Sequence, residues 1–316
     1  MELPIISSKQ QLSRIRHRHL TCFLAAAREL KISAAAYALN ISQPAASKTL
    51  ADLEKILDTR LFDRGGRGGL KLTPSGAVFL RYAGASVAAL KEGLDGLAQA
   101  RLQGTSVLMI GALPGVAAHF MPAAVQEFKR DHRTIIRIIT GPNRQMLDQL
   151  RIGELDLVVG RLARPSDMQG LSFTHLYSEQ LVFVVRADHP HADDDIFDLS
   201  LLHQMTLLMP TADGVMRPVI DRFLLAHGVG ALQNSIEARS PDFCRQYLFE
   251  SDAVWMISRG VVEHDIHDGL LRVLHVDTSD TQGPVGLTVR GDTHPSPTLR
   301  MMMDTVTRVA SDFALT

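Results

Sequence analysis

Residues 41 to 57 read ISQPAASKTLADLEKIL, and this stretch restricts the fold more than any other. Ser42 is a good N-cap, because its hydroxyl can accept a backbone N–H of the first turn, and Pro44 falls where a missing N–H costs nothing. A helix therefore starts here. Ala46, Leu50, Leu53 and Leu57 follow at four, three and four residues, which puts them on one buried face. Gln43, Ala45, Ser47, Lys48 and Thr49 are left facing outward near the N-terminal end. That end is short-chained, hydrogen-bonding and mildly basic, as a helix entering a DNA major groove must be.

The residues before it complete a motif. HRHLTCFLAAAREL (17 to 30) places Leu20, Phe23, Leu24 and Ala27 at helical spacing. ISAAAYALN follows, with Ser33 expected as its cap and Ala34, Ala35, Ala36 and Ala38 small enough to let the next helix approach closely. Two helices joined through a tight Asn40-Ile41 turn form a helix-turn-helix. Beyond it, TRLFDRGGRGGLKLTPSG reads as two short strands around a glycine-rich tip. Arg64 and Arg67 on that tip are placed to reach phosphates.

Charge agrees with this pattern. The overall formal charge of −1 conceals twelve basic against six acidic residues in the first 75, a balance of +6 that leaves −7 for the rest. A basic module on an acidic body implies a polyanion partner for the first and another role for the second.

From Ser75 to about Gln103 the chain reads as one long helix. Leu80, Ala83, Val87, Leu90, Leu94 and Leu97 recur at three and four residues, a narrow seam that implies dimerisation. Beyond Gly104, β-rich runs (VLMIGAL, TIIRIITG, LDLVVGRL) alternate with helical ones, which predicts a parallel sheet. LSFTHLYSE and QLVFVVRADHP then lead into a second βα series, and GPVGLTVRG with PTLRMMMDTVTRVASDF closes the chain. Two α/β lobes joined in this way enclose a cleft, and small ligands settle where the strand ends face it.

At the strand ends, Leu113, Pro114 and Gly115 turn into a helix, and Asn143 is expected to cap the next one with Arg144 just inside. Arg161 follows the third strand, while Pro210 and Thr211, with Met216 and Arg217, mark the matching turn of the second lobe. Helix N-termini and several arginines around one cleft favour an anionic effector.

Several classes of chemistry lack their residues. With 316 residues, 46% hydrophobic and 21% charged, the chain is ordinary globular material. It shows no signal-like apolar core near its start and no uncharged stretch of about 18 residues, so a cytoplasmic protein without membrane association is expected. Cys22 and Cys244 are far apart and without metal-ligand spacing, and both read as packing thiols. His189-Pro190-His191 with Asp193, Asp194 and Asp195 reads as a solvated turn, because consecutive loop carboxylates fix no coordination geometry. The Gly65 to Gly69 run lacks the Lys-Ser/Thr of a phosphate loop. No catalytic residue, metal or cofactor is expected. The rival to a regulator is an α/β enzyme or a transport-type binding protein. The first needs a nucleophile, acid-base pair or cofactor motif, and the second needs an export signal.

In combination, RHLTCFLAAAREL, SAAAYALNISQPAASKTLADLEKIL, TRLFDRGGRGGLKLTPSG and QLVFVVRADHP resemble the LysR-type transcriptional regulators over nearly the whole chain. SKTLADLE and SGAVFLRYAGA are more weakly similar to the regulators of the galactose-binding-protein and protocatechuate-pathway subgroup. The resemblance implies a multidomain α and α/β protein: a winged helix-turn-helix, a linker coiled-coil helix, and a two-lobed effector domain resembling type 2 periplasmic binding proteins. It implies a dimer or dimer of dimers on double-stranded DNA with an interrupted inverted-repeat operator, a small-molecule effector such as an aromatic acid or a sugar-derived compound, and RNA polymerase as an allowed partner. It supports Pro114, Asn143 and Thr211 as cleft positions more firmly than any single arginine.

The expected organisation is an extension at 1–16, the DNA-binding domain at 17–74, the linker helix at 75–104 and the effector domain at 105–316. Its lobes are about 105–179 with 284–316, and about 180–283. The stretch before His17 is longer than the family usually carries and reads as an unstructured tail; the alternative is that its Lys9, Arg14 and Arg16 add a loose DNA contact.

Overall fold

The computed structural model describes residues 8–63, 69–101, 106–291 and 295–313. Arg64 and Arg67, the expected phosphate contacts of the wing, lie outside the described residues.

The N-terminal part is helical. α1 (Ser8–Arg14) precedes α2 (His17–Glu29), α3 (Ile32–Ala38) and α4 (Gln43–Leu57). Helical structure at Ser8–Arg14 corrects the expectation of an unstructured extension over those residues. Ser42 Oγ accepts the Ala45 N–H at 3.3 Å, so α4 starts where its capping chemistry lies. Ser33 does not cap α3. The N-cap is Lys31 and Ser33 sits one residue into the helix, because the turn out of α2 closes at Leu30, in the left-handed region at φ 50°.

Ala46, Leu50 and Leu53 of α4 are buried against Phe23, Leu24 and Ala26 of α2 and Ala35 and Ala36 of α3. Leu57 packs on this core only partly, and Ile56 is the buried residue of that turn. Truncating Leu50 or Leu53 to alanine removes a fully buried side chain, a change that costs about 2–5 kcal/mol.

Two short antiparallel strands, β1 (Phe62–Asp63) and β2 (Lys71–Leu72), form the base of the wing. Glu54 Oε1 accepts the N–H groups of Leu61 (2.8 Å) and Phe62 (3.1 Å), which fastens α4 to β1. α5 (Pro74–Arg101) starts behind Thr73, whose hydroxyl accepts the Gly76 N–H at 2.9 Å. Gly76 is required there, since a Cβ would lie 2.1 Å from the Leu61 carbonyl oxygen.

The α5 seam divides in two. Ala83 is buried in the helical core, and Phe79, Leu80 and Val87 pack against it. Leu90, Leu94 and Leu97 are 51%, 59% and 59% exposed. The first half of the expected dimer seam is thus satisfied within its own chain, and only the second half is left open.

The α/β body holds two five-stranded sheets. Its elements in order are β3 (Ser106–Ala112), α6 (Met121–Asp131), β4 (Thr134–Ile139), α7 (Asn143–Arg151), β5 (Leu157–Arg161), β6 (Leu171–Glu179), β7 (Leu181–Arg186), β8 (Leu207–Met209), α8 (Arg217–Ala226), β9 (Ser235–Glu237), α9 (Pro241–Phe249), β10 (Val254–Ser258), α10 (Arg259–His267), β11 (Leu271–Val273), β12 (Gly283–Arg290) and α11 (Pro297–Phe313). The strand orders are β4-β3-β5-β12-β6 and β11-β7-β10-β8-β9.

The sheets are mixed where a parallel sheet was expected. β4, β3 and β5 run parallel, as do β10, β8 and β9, but β12 pairs antiparallel to β5, and β7 antiparallel to β10 and β11. The reason lies in the connections: the chain passes from one sheet to the other at Gln180 and returns between β11 and β12, so the returning strand inserts against its neighbour's direction. Each sheet has its own core, one around Phe120, Phe128, Val159 and Met302, the other around Phe183, Phe223, Leu207 and Met256.

Candidate functional site

The helix-turn-helix presents its first surface through α4. Gln43, Pro44, Ala45 and Lys48 are exposed, while Ser47 and Thr49 are half-buried. Two of the expected DNA-binding hydroxyls are already engaged: Ser42 caps the helix, and Thr49 Oγ1 donates to the Ala45 carbonyl at 2.9 Å. Gln43, Ser47 and Lys48 keep their polar ends free of any partner among the described residues. Ser33 is half-buried and sits inside α3. Tyr37 of α3 escaped the sequence reading, although it is 86% exposed. A lone aromatic in an alanine-rich helix carries no periodic signal.

The second surface is a cavity of about 600 Å³ inside the α/β body, lined from both sheets. Leu113, Pro114 and Gly115 stand on one side with Asn143 and Arg161, and Pro210, Thr211 and Met216 stand on the other. Arg144 is not among the lining residues, because the helix that starts at Asn143 turns it away from the wall. Asn143 is the first residue of α7 and not its cap. The Met146 N–H bonds the Pro142 carbonyl at 3.1 Å, which makes Pro142 the capping position.

Three helices begin in the lining of this cavity. The chain enters helix at Pro114 and Gly115, runs through a π-helical turn at Val116–Phe120, and continues as α6. π turns within helices are frequent at functional positions. The starts of α7 (Asn143) and α9 (Pro241) complete the set. First-turn N–H groups have no backbone partner within their own helix and carry partial positive charge, which favours an anionic group at the Pro114 and Asn143 starts; at α9 Ser240 already accepts the Phe243 N–H at 3.2 Å and Asp242 stands in the first turn.

The arginines behave differently from the sequence expectation. Arg161 donates to the carbonyl oxygens of Glu179 (3.3 Å) and Thr281, one from each of the two chain segments that cross between the sheets. Burial draws its pKa below the ordinary arginine value. Arg217, which is not in the lining, is held by Asp221 (2.7 Å) and Glu237 (2.6 Å). Two lining arginines that the sequence reading missed, Arg239 and Arg245, are likewise held by Asp213 (2.5 Å) and by Asp265 (2.8 Å) and Asp242 (3.0 Å). Arg239 and Arg245 are thus paired with acidic side chains, and Arg161 is held by backbone carbonyls with Glu179 nearby in the same lining. Backbone N–H groups and short polar side chains, not spare guanidinium groups, are what the wall offers a ligand.

Trp255, Ile257, Val261 and Val285 supply an apolar wall that spacing alone did not reveal, since these residues read as core. Cys244 also lines the cavity, but burial pushes its thiol up to about 11, away from reactive thiolate chemistry. Among the described residues no group of three or more histidine, cysteine or acidic side chains could hold a metal ion, and no helix is long and apolar enough to cross a membrane. His189 is buried, and its neighbour His191 pairs with Asp194 at 2.7 Å, so the expected solvated turn is more tightly tied than its composition implied.

Residues 17–77 match the model of the bacterial regulatory helix-turn-helix protein, lysR family, and residues 102–311 match that of the LysR substrate binding domain. The chain is 45% identical over 300 residues to the HTH-type transcriptional regulator PcaQ of Agrobacterium fabrum, covering 95% of this chain and 96% of that protein. It is 27% identical over 305 residues to the HTH-type transcriptional regulator GbpR of Azospirillum brasilense, covering 95% and 88%. Among solved structures it is similar to full-length BenM, with a TM-score of 0.56 at 21% identity over 96% of this chain and 99% of that one. Full-length CbnR complexed with its target DNA gives 0.55 at 18% identity over 93% and 100%. At those identities the two structures speak to the fold alone.

Proposed function

Since the chain belongs to the LysR family, and is therefore a DNA-binding transcriptional regulator with a substrate-binding domain and not an enzyme, we propose that it reads its operator with the N-terminal end of α4 and is switched by a small aromatic carboxylate. The observation that carries the effector class is the cavity: three helix starts, arginines already held by acceptors of the chain itself, and an apolar lining of Trp255, Ile257, Val261 and Val285. A carboxylate is satisfied by unpaired N–H groups, and a flat apolar ring by the Trp255 side, whereas a sugar-derived compound would leave that apolar wall unused. The volume of about 600 Å³ suits such a ligand. The resemblance to protocatechuate-pathway regulators supports the same class.

The operator is an interrupted inverted repeat, read by a cytoplasmic dimer or dimer of dimers through Leu90, Leu94 and Leu97 of α5, with RNA polymerase as the downstream partner. Gln43 and Ser47 contact base edges; Lys48, and the wing residues Arg64 and Arg67, contact phosphate. Two-fold sites follow from two-fold proteins, because each helix-turn-helix reads one half-site.

The test is calorimetry on the full-length protein with a panel of benzoate-type acids and sugar acids, alongside gel-shift binding to the DNA upstream of its own gene. Binding of an aromatic acid that alters the shift is expected. Binding of sugar acids alone would overturn the effector class, and turnover of a ligand without DNA binding would overturn the regulator reading itself.

A further inference from the structure

A second concave surface lies on the DNA-binding part, far in sequence from the effector cavity. It encloses about 400 Å³ and is lined by Arg14, Arg16, Arg18, His19, Asp52 and Lys55, with Ser13 and Ile56 at its edge. Arg14 ends α1, Arg16 lies in the link to α2, Arg18 and His19 belong to the first turn of α2, and Asp52 and Lys55 lie in the second half of α4. We propose that this basic concavity seats a backbone phosphate of duplex DNA beside the groove that α4 reads. The inference rests on the DNA-binding reading above and adds a contact that joins Arg14 and Arg16, ahead of the matched helix-turn-helix, to residues of α2 and α4 within it.

Four cations meet one carboxylate, and among the described residues none of the four forms an ion pair. Elsewhere in this protein arginines are commonly paired, as Arg217, Arg239, Arg245 and Arg259 are. The location makes the arrangement costlier. α2 has no acidic residue in its first turn, and Arg16 and Arg18 stand at its positive end, where the macrodipole disfavours cations. A bound anion relieves both the mutual repulsion and the dipole.

His19 is the second observation. It is 4% exposed yet lines the concavity, and its Nδ1 accepts the Arg16 N–H at 3.2 Å. Burial and the neighbouring Arg18 hold its pKa below the ordinary histidine value, which favours the neutral ring. A neutral ring with Nδ1 accepting carries its proton on Nε2, a donor suited to a phosphate oxygen.

The seat also has the right position. Lys48, Asp52 and Lys55 fall at i, i+4 and i+7 on one face of α4, so Lys55 lies about 10 Å along the helix from Lys48. That span is comparable with the width of the major groove, about 12 Å, and takes a side chain from the groove to the backbone at its edge.

The experiment measures the salt dependence of full-length protein binding to operator DNA and to an unrelated duplex of equal length. The Arg14→Ala/Arg16→Ala double variant should flatten the salt slope by about one unit on both duplexes, about a three-fold smaller loss of affinity between roughly 50 and 200 mM salt, with the operator preference retained. Asp52→Asn should tighten binding to both. Lys48→Ala serves as the control for the underlying reading: if it lowers the slope and the double variant does not, the seat is not a DNA contact. If neither changes the slope, the DNA-binding face of α4 itself is misassigned and the seat falls with it. An unchanged slope with an altered sedimentation coefficient would make the concavity an interface between chains. Stabilisation of the wild type, but not of the double variant, by inorganic phosphate alone, with the DNA slope unchanged, would assign it to a free anion. Either result overturns the proposal.

Discussion

The Glu179 carboxylate accepts the backbone N–H of Gly260 at 2.7 Å, so an acid at the end of one sheet's outer strand caps the helix that follows a strand of the other sheet. Ser258, the N-cap of α10, makes no capping bond of its own from its side chain. A Cβ at position 260 would lie 2.6 Å from Glu179 Oε1, so the approach depends on glycine. Burial raises the Glu179 pKa, with the Gly260 N–H and Arg161 pulling the other way.

The folded protein therefore holds the Glu179 proton at pH values where the unfolded chain has released it. Its contribution to stability is present below the ordinary carboxylate value and is lost as pH rises through the raised folded value. Glu179→Gln keeps an acceptor for Gly260 and removes the titration. The melting temperature of the variant minus that of the wild type should rise with pH above about 4.5, the ordinary value. A flat difference between pH 4 and pH 7 would show that folding leaves the titration of this carboxylate unchanged.

The divided α5 seam separates two kinds of leucine. Leu90→Lys or Leu94→Lys changes an exposed side chain and should leave the fold of the monomer intact while splitting the assembly, with operator affinity collapsing because one helix-turn-helix reads only half of a two-fold site. Val87→Lys instead strikes the chain's own helical core and should destabilise it by about 2–4 kcal/mol. Sedimentation velocity combined with thermal melting checks both. Wild-type assembly in the Leu94→Lys variant would locate the dimer contact outside the exposed seam.

On α4, Gln43→Ala or Ser47→Ala should relax sequence preference and cost about 1–3 kcal/mol on the operator, with a smaller effect on unrelated DNA. Lys48→Ala should weaken both alike and lower the salt slope by about one unit. Thr49→Ala should do little to recognition, since its hydroxyl already bonds the Ala45 carbonyl. Equal losses on both duplexes for Gln43→Ala would make that residue a positioning contact.

In the cavity, Asn143→Ala and Thr211→Ala should each leave basal DNA binding unchanged and weaken effector binding by about 1 kcal/mol per lost hydrogen bond. The Thr211 hydroxyl donates to Asp213 at 2.8 Å, and Asp213 also receives Arg239, so Thr211→Ala additionally loosens that pair. Calorimetry of the full-length variants with the effector checks this. Undiminished affinity in both would place the ligand against the Trp255 side alone.

What the sequence determined by itself is what short stretches of backbone decide. The start of α4 follows from Ser42 and Pro44, the helix faces follow from spacing, and the strands follow from β-rich runs between turn residues, because capping, periodicity and turn chemistry act within a few residues. Even there, a competing local feature moved two caps: the left-handed Leu30 shifted the start of α3 to Lys31, and Pro142 took the position expected of Asn143. The tertiary structure decided everything that depends on residues far apart. Arg161 read as a free cation and is held by carbonyls of Glu179 and Thr281, because the chain crosses between the sheets at two places 100 residues apart that only folding brings together. The same holds for α5, where an unbroken spacing of apolar residues is buried at Ala83 and open at Leu94 because the helical core ends partway along the helix. Spacing reports which side of a helix is apolar, but what covers that side is a property of the packed chain.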